Sequence, residues 1–231
     1  MTQNQKNNNK PIETCPVDYE GCQWLVELAS LRRENEELQL LVTTDPLTGL
    51  FNYRYFRDIL SNEIQRSNRT GRPLTLIMVD LDHFKSINDQ WGHEAGNEAL
   101  KTVAGVFRQQ LRQSDIICRY GGEEFAILLP QTPLTIAVKV ADRVRGKIEQ
   151  TLVIFEDSEF SITASLGAGV YQQANEYTED GFVDHVDQWL YQAKQQGRNQ
   201  VCHVDFDSLK PRTAVSLEER AALFSRRKED D

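Results

Sequence analysis

The residues best suited to chemistry in this chain are carboxylates at the ends of apolar runs. Asp80 and Asp82 close the run LTLIMVDLD at 74–82, and Glu123 and Glu124 follow Gly121-Gly122 and lead into FAILL at 125–129. Ligands of sheet enzymes commonly sit beyond the carboxyl ends of strands, and carboxylates there suit a hard cation such as Mg2+. Asp80 and Asp82 leave a strand on the same face, although acidic strand ends also serve simply to cap the next helix. Two glycines permit a tight hairpin with positive φ. If the strand after that turn lies beside 74–82, Glu123 and Asp80 meet over one cation. Two carboxylates holding metal against a polyphosphate form the arrangement used for phosphoryl or nucleotidyl transfer.

The cations that could face such a polyphosphate are Lys85, Lys194 and Arg198. Lys194 closes a predicted helix and Arg198 follows Gly197, positions that helix dipoles favour on their own. His83-Phe84-Lys85 is a turn that opens a helix, whose free N–H groups suit phosphate oxygens. Asn88, His93 and Asn97 surround Gly92 and Gly96. An amide both donates and accepts, which suits a base edge, and the same residues also serve as turn or N-cap positions.

Placing these groups requires strands that end near 82 and start near 124. The chain alternates accordingly. A helix is predicted over 52–68, a central strand over 74–82, a helix over 95–112, short strands near 116–120 and 124–129, and a helix over 134–150. Strands near 152–156 and 160–170, a helix at 181–196 and a last strand at 200–204 follow. Helices alternating with central strands make an α/β sandwich around a mixed sheet. Before it, residues 21–43 carry a heptad seam: Trp24, Leu31 and Leu38 at one position, Leu28, Asn35 and Val42 at the other. A buried Asn in such a seam favours a parallel pair in fixed register, with Glu27 and Arg32 able to pair across chains; an intramolecular amphipathic helix is the alternative. Asp45-Pro46 ends that helix. Residues 1–20 open with Gln, Asn and Lys and are expected to be disordered. Residues 206–231 form a charged tail in which Ser216-x-x-Glu219 marks a short helix near 217–227.

The chain has 231 residues, with 26 Lys plus Arg against 35 Asp plus Glu and a net charge of −9. That balance argues against a nucleic-acid binder, which needs a cationic surface, while a metal and a few placed cations still suffice for a nucleotide. No apolar run reaches the roughly 18 residues of a membrane span, and MTQNQKNNNK lacks the apolar segment of a secretory signal. Four cysteines make no disulfide framework. Cys15 and Cys22, with no His near, read as incidental or packed thiols rather than a metal or redox pair. A cytoplasmic location is expected.

DPLTGLFNYRYF, VDLDHFKSINDQWGHEAGN, RYGGEEF and LYQAKQQGRNQV occur in that order and at compatible distances. Together they resemble the GGDEF domain, the catalytic module of diguanylate cyclases, over residues 44–205, with the signature in its GGEEF form. The resemblance implies a five-stranded central mixed sheet flanked by helices, similar to the palm of nucleotide cyclases and polymerases. It implies condensation of two GTP into cyclic di-3′,5′-GMP with release of two pyrophosphates. Asp80 and Glu123 match the Mg2+ carboxylates (Mn2+ being the alternative ion), and Leu81 lends its carbonyl. Asn88 and Asn97 match the guanine contacts, His93 belongs to the same stretch, and His83, Phe84 and Lys85 match the phosphate loop. Lys194 and Arg198 match the cations on the terminal phosphates. Lys85 is a candidate to stabilise the transition state, and a signature carboxylate, Glu123 or its neighbour Glu124, to help deprotonate the 3′-hydroxyl.

The resemblance also has departures. The family commonly carries Asp where this chain has Asn97, which leaves a mixed cyclic dinucleotide open as a product. Trp189 stands where a small residue is usual and is expected to alter local packing. Arg112-Gln113-Ser114-Asp115 matches the RxxD motif of the inhibitory site, with Arg143 as its secondary arginine, so product inhibition by cyclic di-GMP is implied. Each protomer supplies half an active site, so a homodimer is expected, with the 21–43 helix holding two domains together. The rival readings are a catalytically inactive cyclic di-GMP receptor and a cyclase of mixed specificity.

Overall fold

The computed structural model describes residues 23–171 and 177–206. The chain divides into two units, residues 1–44 and 45–231. The first contributes one described helix, α1 (Gln23–Thr43), close to the predicted 21–43. Its Trp24 and Leu31, both on the predicted seam, are 78% and 55% exposed. The side chains of Asn35, Leu38 and Val42 lie outside the described ones, as do the 1–20 tail, Cys15, Cys22 and the charged segment from 207 onward.

The second unit runs α2 (Tyr53–Thr70), β1 (Leu74–Leu81), α3 (Phe84–Trp91), α4 (His93–Gln110), β2 (Ile116–Arg119), β3 (Glu124–Pro130), α5 (Leu134–Glu149), β4 (Leu152–Phe155), β5 (Ser158–Ser161), β6 (Ala164–Tyr171), α6 (Glu179–Gln195) and β7 (Val201–His203). Five strands form one sheet in the order β2-β3-β1-β6-β7. β1 is antiparallel to both β3 and β6, and β6 is parallel to β7, so the sheet is mixed. β1 and β6 are buried along their whole length, which is why they read as continuous apolar runs rather than alternating ones.

The sheet is covered on both faces, and the pleat decides which side chain goes where. Leu74, Leu76 and Met78 pack with Phe56, Leu60 and Ile64 of α2 and with Phe182, Val186 and Leu190 of α6. Ile77, Val79 and Leu81 pack on the opposite face with Phe84 of α3, Val103 and Phe107 of α4 and Val144 of α5. Asp80 continues the even-numbered face and therefore emerges on the side of α6.

The predicted strand 160–170 is two elements. β4 and β5 form a separate two-stranded hairpin turning at Glu156 and Asp157, and β6 starts only at Ala164. The burial pattern accounts for the break. In β5, Glu159 and Ser161 are exposed and Phe160 half-buried, whereas every residue of 164–171 is buried. Only the second stretch has core on both faces.

A turn at 45–50 fastens the start of this unit to the sheet. Asp45 Oδ1 accepts from Thr48 N–H (2.8 Å) and Thr48 Oγ1 (2.6 Å). Its carboxylate also pairs with the Arg119 guanidinium at 3.1 Å. Burial alone would raise the Asp45 pKa, but the two Thr48 bonds and the Arg119 charge outweigh it and hold the carboxyl below its usual 3.8. A depressed folded-state pKa stabilises above the unfolded value and is lost as pH falls through the folded one. Asp45→Asn removes the charge that faces Arg119 and should therefore destabilise by about 1 kcal/mol or less near pH 7. Thermal melts should show that gap closing as pH falls below 3.8; a gap that persists in acid would assign the loss to shape rather than charge.

Candidate active site

The register of β1 against β3 pairs Asp80 directly with Glu124. Glu124, rather than Glu123, is thus the cross-strand neighbour of Asp80; Glu123 accepts a hydrogen bond at its carbonyl from Leu81 N–H (3.2 Å). The Gly-Gly turn closes tightly, the amides of Tyr120 and Gly121 both donating to Glu124 O at 2.8 and 3.1 Å. Positive φ is not what these glycines supply, contrary to expectation: neither Gly121 nor Gly122 is among the positive-φ residues. A Cβ on Gly121 would lie 2.6 Å from Glu124 Oε2 and displace that carboxylate, whereas one on Gly122 would meet nothing. Arg119 fastens the turn from below, Nε and Nη2 donating to Gly122 O at 3.1 and 2.7 Å.

Asp80 has a side chain only 12% exposed, and Lys194 Nζ lies 2.7 Å from its Oδ2. Burial raises the Asp80 pKa; Lys194 pulls it back, and Asp82 and Asp187 push it up again, leaving it above the ordinary carboxylate value. Glu124 is raised for the same reasons, first by burial and then by the charge of Asp80. Two half-desolvated carboxylates that resist ionisation side by side are a natural seat for a cation. The donor set, Asp80, Glu124, Glu123 and the Leu81 carbonyl, is all hard oxygen, which fits a divalent ion of the Mg2+ type. Among the described residues, no three His, Cys, Asp or Glu side chains converge in ligand geometry; the seat consists of the cross-strand pair and its neighbours.

Asp82 has a different task. It is 4% exposed and accepts from Thr163 Oγ1 and Ser165 Oγ at 2.7 Å and from Asn199 N–H at 3.1 Å. With three donors it locks β1, β6 and the 197–200 turn together and has little left for a metal.

The residues expected to form the phosphate loop sit where β1 hands over to α3. His83 takes left-handed φ of 55° and no side chain caps the helix. The amides of Ser86 and Ile87 go to His83 O, and those of Phe84 and Lys85 have no acceptor among the described residues. The Phe84 ring is buried in the core, so only its amide can meet a ligand, while His83 and Lys85 are exposed. Further on, a Cβ on Gly96 would fall 2.0 Å from Asn88 Oδ1. Gly96 thus leaves room for the Asn88 amide against α4, while Asn97 is half-buried and His93 exposed at the start of that helix.

Arg198 is exposed just beyond α6 with φ of 65°, and no contact among the described residues joins it or Lys85 to the carboxylates. At the far end of α4, Arg112 N–H donates to Asp115 Oδ2 at 2.9 Å, and Arg143 of α5 donates to Gln110 O. Arg112, Asp115 and Arg143 thus gather around one helix end. Trp189 packs on His185, with Nε1 3.5 Å from Nε2. Sequence reasoning passed over Arg119 and Asn199, although both lie inside the quoted motifs. Their signal is a polar residue two positions from a glycine, which names a turn but not its partner.

Residues 42–200 match the family model described as "Diguanylate cyclase, GGDEF domain". The chain is 42% identical over 166 residues to diguanylate cyclase DgcP of Pseudomonas aeruginosa, covering 72% of this chain and 24% of that protein. Among solved structures it resembles the diguanylate cyclase SiaD from Pseudomonas aeruginosa, solved in complex with its activator SiaC (TM-score 0.70, 36% identity, 78% of this chain and 68% of that one). It also resembles the coiled coil and GGDEF domain of DgcB from Caulobacter crescentus, solved in complex with c-di-GMP (TM-score 0.73, 27% identity, 78% and 94%). The chain spans between 24% and 51% of the length of the curated relatives it matches. With the register of its two acidic motifs in place, the chain belongs to the GGDEF family.

Proposed function

We propose that this chain is a diguanylate cyclase that condenses two GTP into cyclic di-3′,5′-GMP and two pyrophosphates. The observation that carries the reading is the pairing of Asp80 with Glu124 across β1 and β3, with Lys194 against the pair. Asp80, the signature carboxylates and the Leu81 carbonyl would hold Mg2+, with Mn2+ able to replace it. A metal bound there acidifies the 3′-hydroxyl and offsets phosphate charge. The amides of Phe84 and Lys85 face the phosphates, and Lys194 and Arg198 bind the terminal ones. Asn88 and Asn97 hold the guanine edge, with His93 beside them. Glu123 or Glu124 takes the proton from the 3′-oxygen, and Lys85 balances charge that builds on the α-phosphate. Each 3′-oxygen attacks the α-phosphorus of the GTP on the other protomer as the bond to pyrophosphate breaks. The reaction therefore needs a homodimer, which the exposed seam of α1 supports.

Arg112, Asp115 and Arg143 would bind product and hold the domains apart. Arginine grips a guanine edge or a phosphate through two parallel bonds, and their convergence on the end of α4 supports the assignment. No described helix is long and apolar enough to cross a membrane.

Purified protein with Mg2+ and GTP, ATP or both should give cyclic di-GMP from GTP alone, resolved by chromatography and mass. Glu124→Gln should lower turnover by at least about a hundredfold, the usual scale for removing a transition-state contact. A mixed product would favour the altered specificity that Asn97 suggests. Binding of cyclic di-GMP with no turnover would make the chain a receptor.

Lys194 now neutralises Asp80, so a metal must compete with it, and a triphosphate offers it a new partner. Lys194→Met should tighten Mn2+ binding to the nucleotide-free protein several-fold by calorimetry, while weakening GTP binding. Weaker metal binding in this variant would contradict the exchange. Gly96→Ala should displace the Asn88 amide and raise the KM for GTP about tenfold, the scale of one lost hydrogen bond to a base edge, with a smaller change in kcat. An unchanged KM would remove Asn88 from the guanine site.

A further inference from the structure

The turn that carries Arg198 is held in an uncommon conformation. Gly197, Arg198 and Asn199 all have positive φ, at 112°, 65° and 45°. Left-handed backbone is unfavourable for side chains with a Cβ, so two such residues in a row persist only where surrounding contacts impose them. The contacts come from three directions. From α6, Ala193 O accepts from Arg198 N–H at 3.0 Å and Gln200 Nε2 at 2.9 Å. From the sheet, Asp82 Oδ2 accepts from Asn199 N–H at 3.1 Å. From α5, Arg145 Nη1 donates to Asn199 Oδ1 at 2.9 Å, and Asn199 Nδ2 donates to Glu149 Oε1 at 2.8 Å. Arg145 is itself fixed, with Nε on Asp142 and Nη1 on Glu149, both at 2.9 Å. Glu149 sits below its ordinary pKa because of Asn199 first and Arg145 second, so it stays charged in this bracket at neutral pH.

We propose that Asn199, clamped between Arg145 and Glu149 of α5, is a positioning residue that fixes the left-handed 197–199 turn and so aims Arg198 at the terminal phosphates of the nucleotide. Asn suits the task because it tolerates left-handed backbone better than most residues and its amide donates and accepts at once. Arg145 and Glu149 take one function each. The Arg198 side chain is left exposed with no partner among the described residues, so what the turn fixes is the point and direction from which it leaves the backbone. This inference rests on the reading of Arg198 as a phosphate ligand.

The test uses the full chain and two ligands: a GTP analogue with a methylene bridge between the α and β phosphorus atoms, and GMP, which lacks the phosphates Arg198 would meet. Arg198→Ala should weaken the analogue by tenfold or more, as expected for a charge-assisted bond. Arg145→Met should weaken it by about threefold to tenfold, and neither should change GMP affinity. Asn199→Gly, which keeps the backbone region open but removes both side-chain bonds, should match Arg145→Met. In the Arg198→Ala background the Arg145→Met effect should vanish, because both act through one guanidinium.

If Arg145→Met costs the same with and without Arg198, or weakens GMP equally, its role is only structural and the proposal falls while the phosphate clamp stands. The same holds if Arg145→Met and Asn199→Gly both leave the analogue's affinity unchanged. If Arg198→Ala leaves the analogue unaffected, the clamp falls and the positioning role with it.

Discussion

Asp80 and Glu124 meet across one antiparallel step, at a depth where burial lifts both from the ordinary carboxylate range, helped by Asp82 and Asp187 at Asp80 and by Asp80 at Glu124. Holding them there opposes folding, and the surrounding structure can be understood as what offsets it. Lys194 supplies a counter-charge from α6. Leu74, Leu76 and Met78, on the same face as Asp80, seat α6 and α2 on β1, which brings that ammonium within reach. The opposite face of β1 packs against Phe84 at the start of α3, a helix whose N-terminus no side chain caps. Shifting β1 by a single residue would reverse every one of these assignments.

The acidic turn at 121–124 is rigid for a related reason. Arg119 reaches both Gly122 O and Asp45, so the signature loop and the 45–50 turn share one guanidinium. Asp45 in turn is bonded by Thr48. A planar donor with several N–H groups can bridge two acceptors that differ in direction, which an ammonium does less well. Gly121 allows Glu124 to lie back over the turn. The carboxylates are thereby aimed by backbone and arginine rather than by their own flexible side chains.

Much of this was legible from residue patterns because the relevant forces are local. Continuous apolar runs marked β1 and β3, helical periodicity marked α2, α4, α5 and α6, and the acidic ends of β1 and β3 marked the site. What was not legible depends on partners far along the chain. Asp82 resembles Asp80 in the sequence, yet it is consumed by Thr163, Ser165 and Asn199. The split of 160–170 follows from how much core covers each stretch, which composition does not reveal. Lys194 and Asp80 lie more than a hundred residues apart, and only the seating of α6 on the sheet brings them to 2.7 Å. Gly121-Gly122 suggested a positive-φ turn, whereas neither residue adopts one and only a Cβ at Gly121 would meet the Glu124 carboxylate.

On the proposed reading, in which Asn88 and Asn97 hold the base edge, the amide at 97 changes the chemistry of the site without changing its shape. Guanine presents two adjacent N–H donors, and one carboxylate accepts from both. An amide has a single accepting oxygen, but on that reading Asn88, given room by Gly96, supplies a second one. Two amides can therefore divide what one carboxylate would take alone. They do so without a negative charge, and hydrogen bonds to ionised groups are roughly twice as strong as neutral ones. Each amide also carries an NH2 that can donate to a ring nitrogen, a pattern that adenine satisfies and a carboxylate repels. Substituting the amide at 97 thus lowers the contrast between the two purines more than it lowers binding of either, because discrimination comes from the group left unpaired with the wrong base.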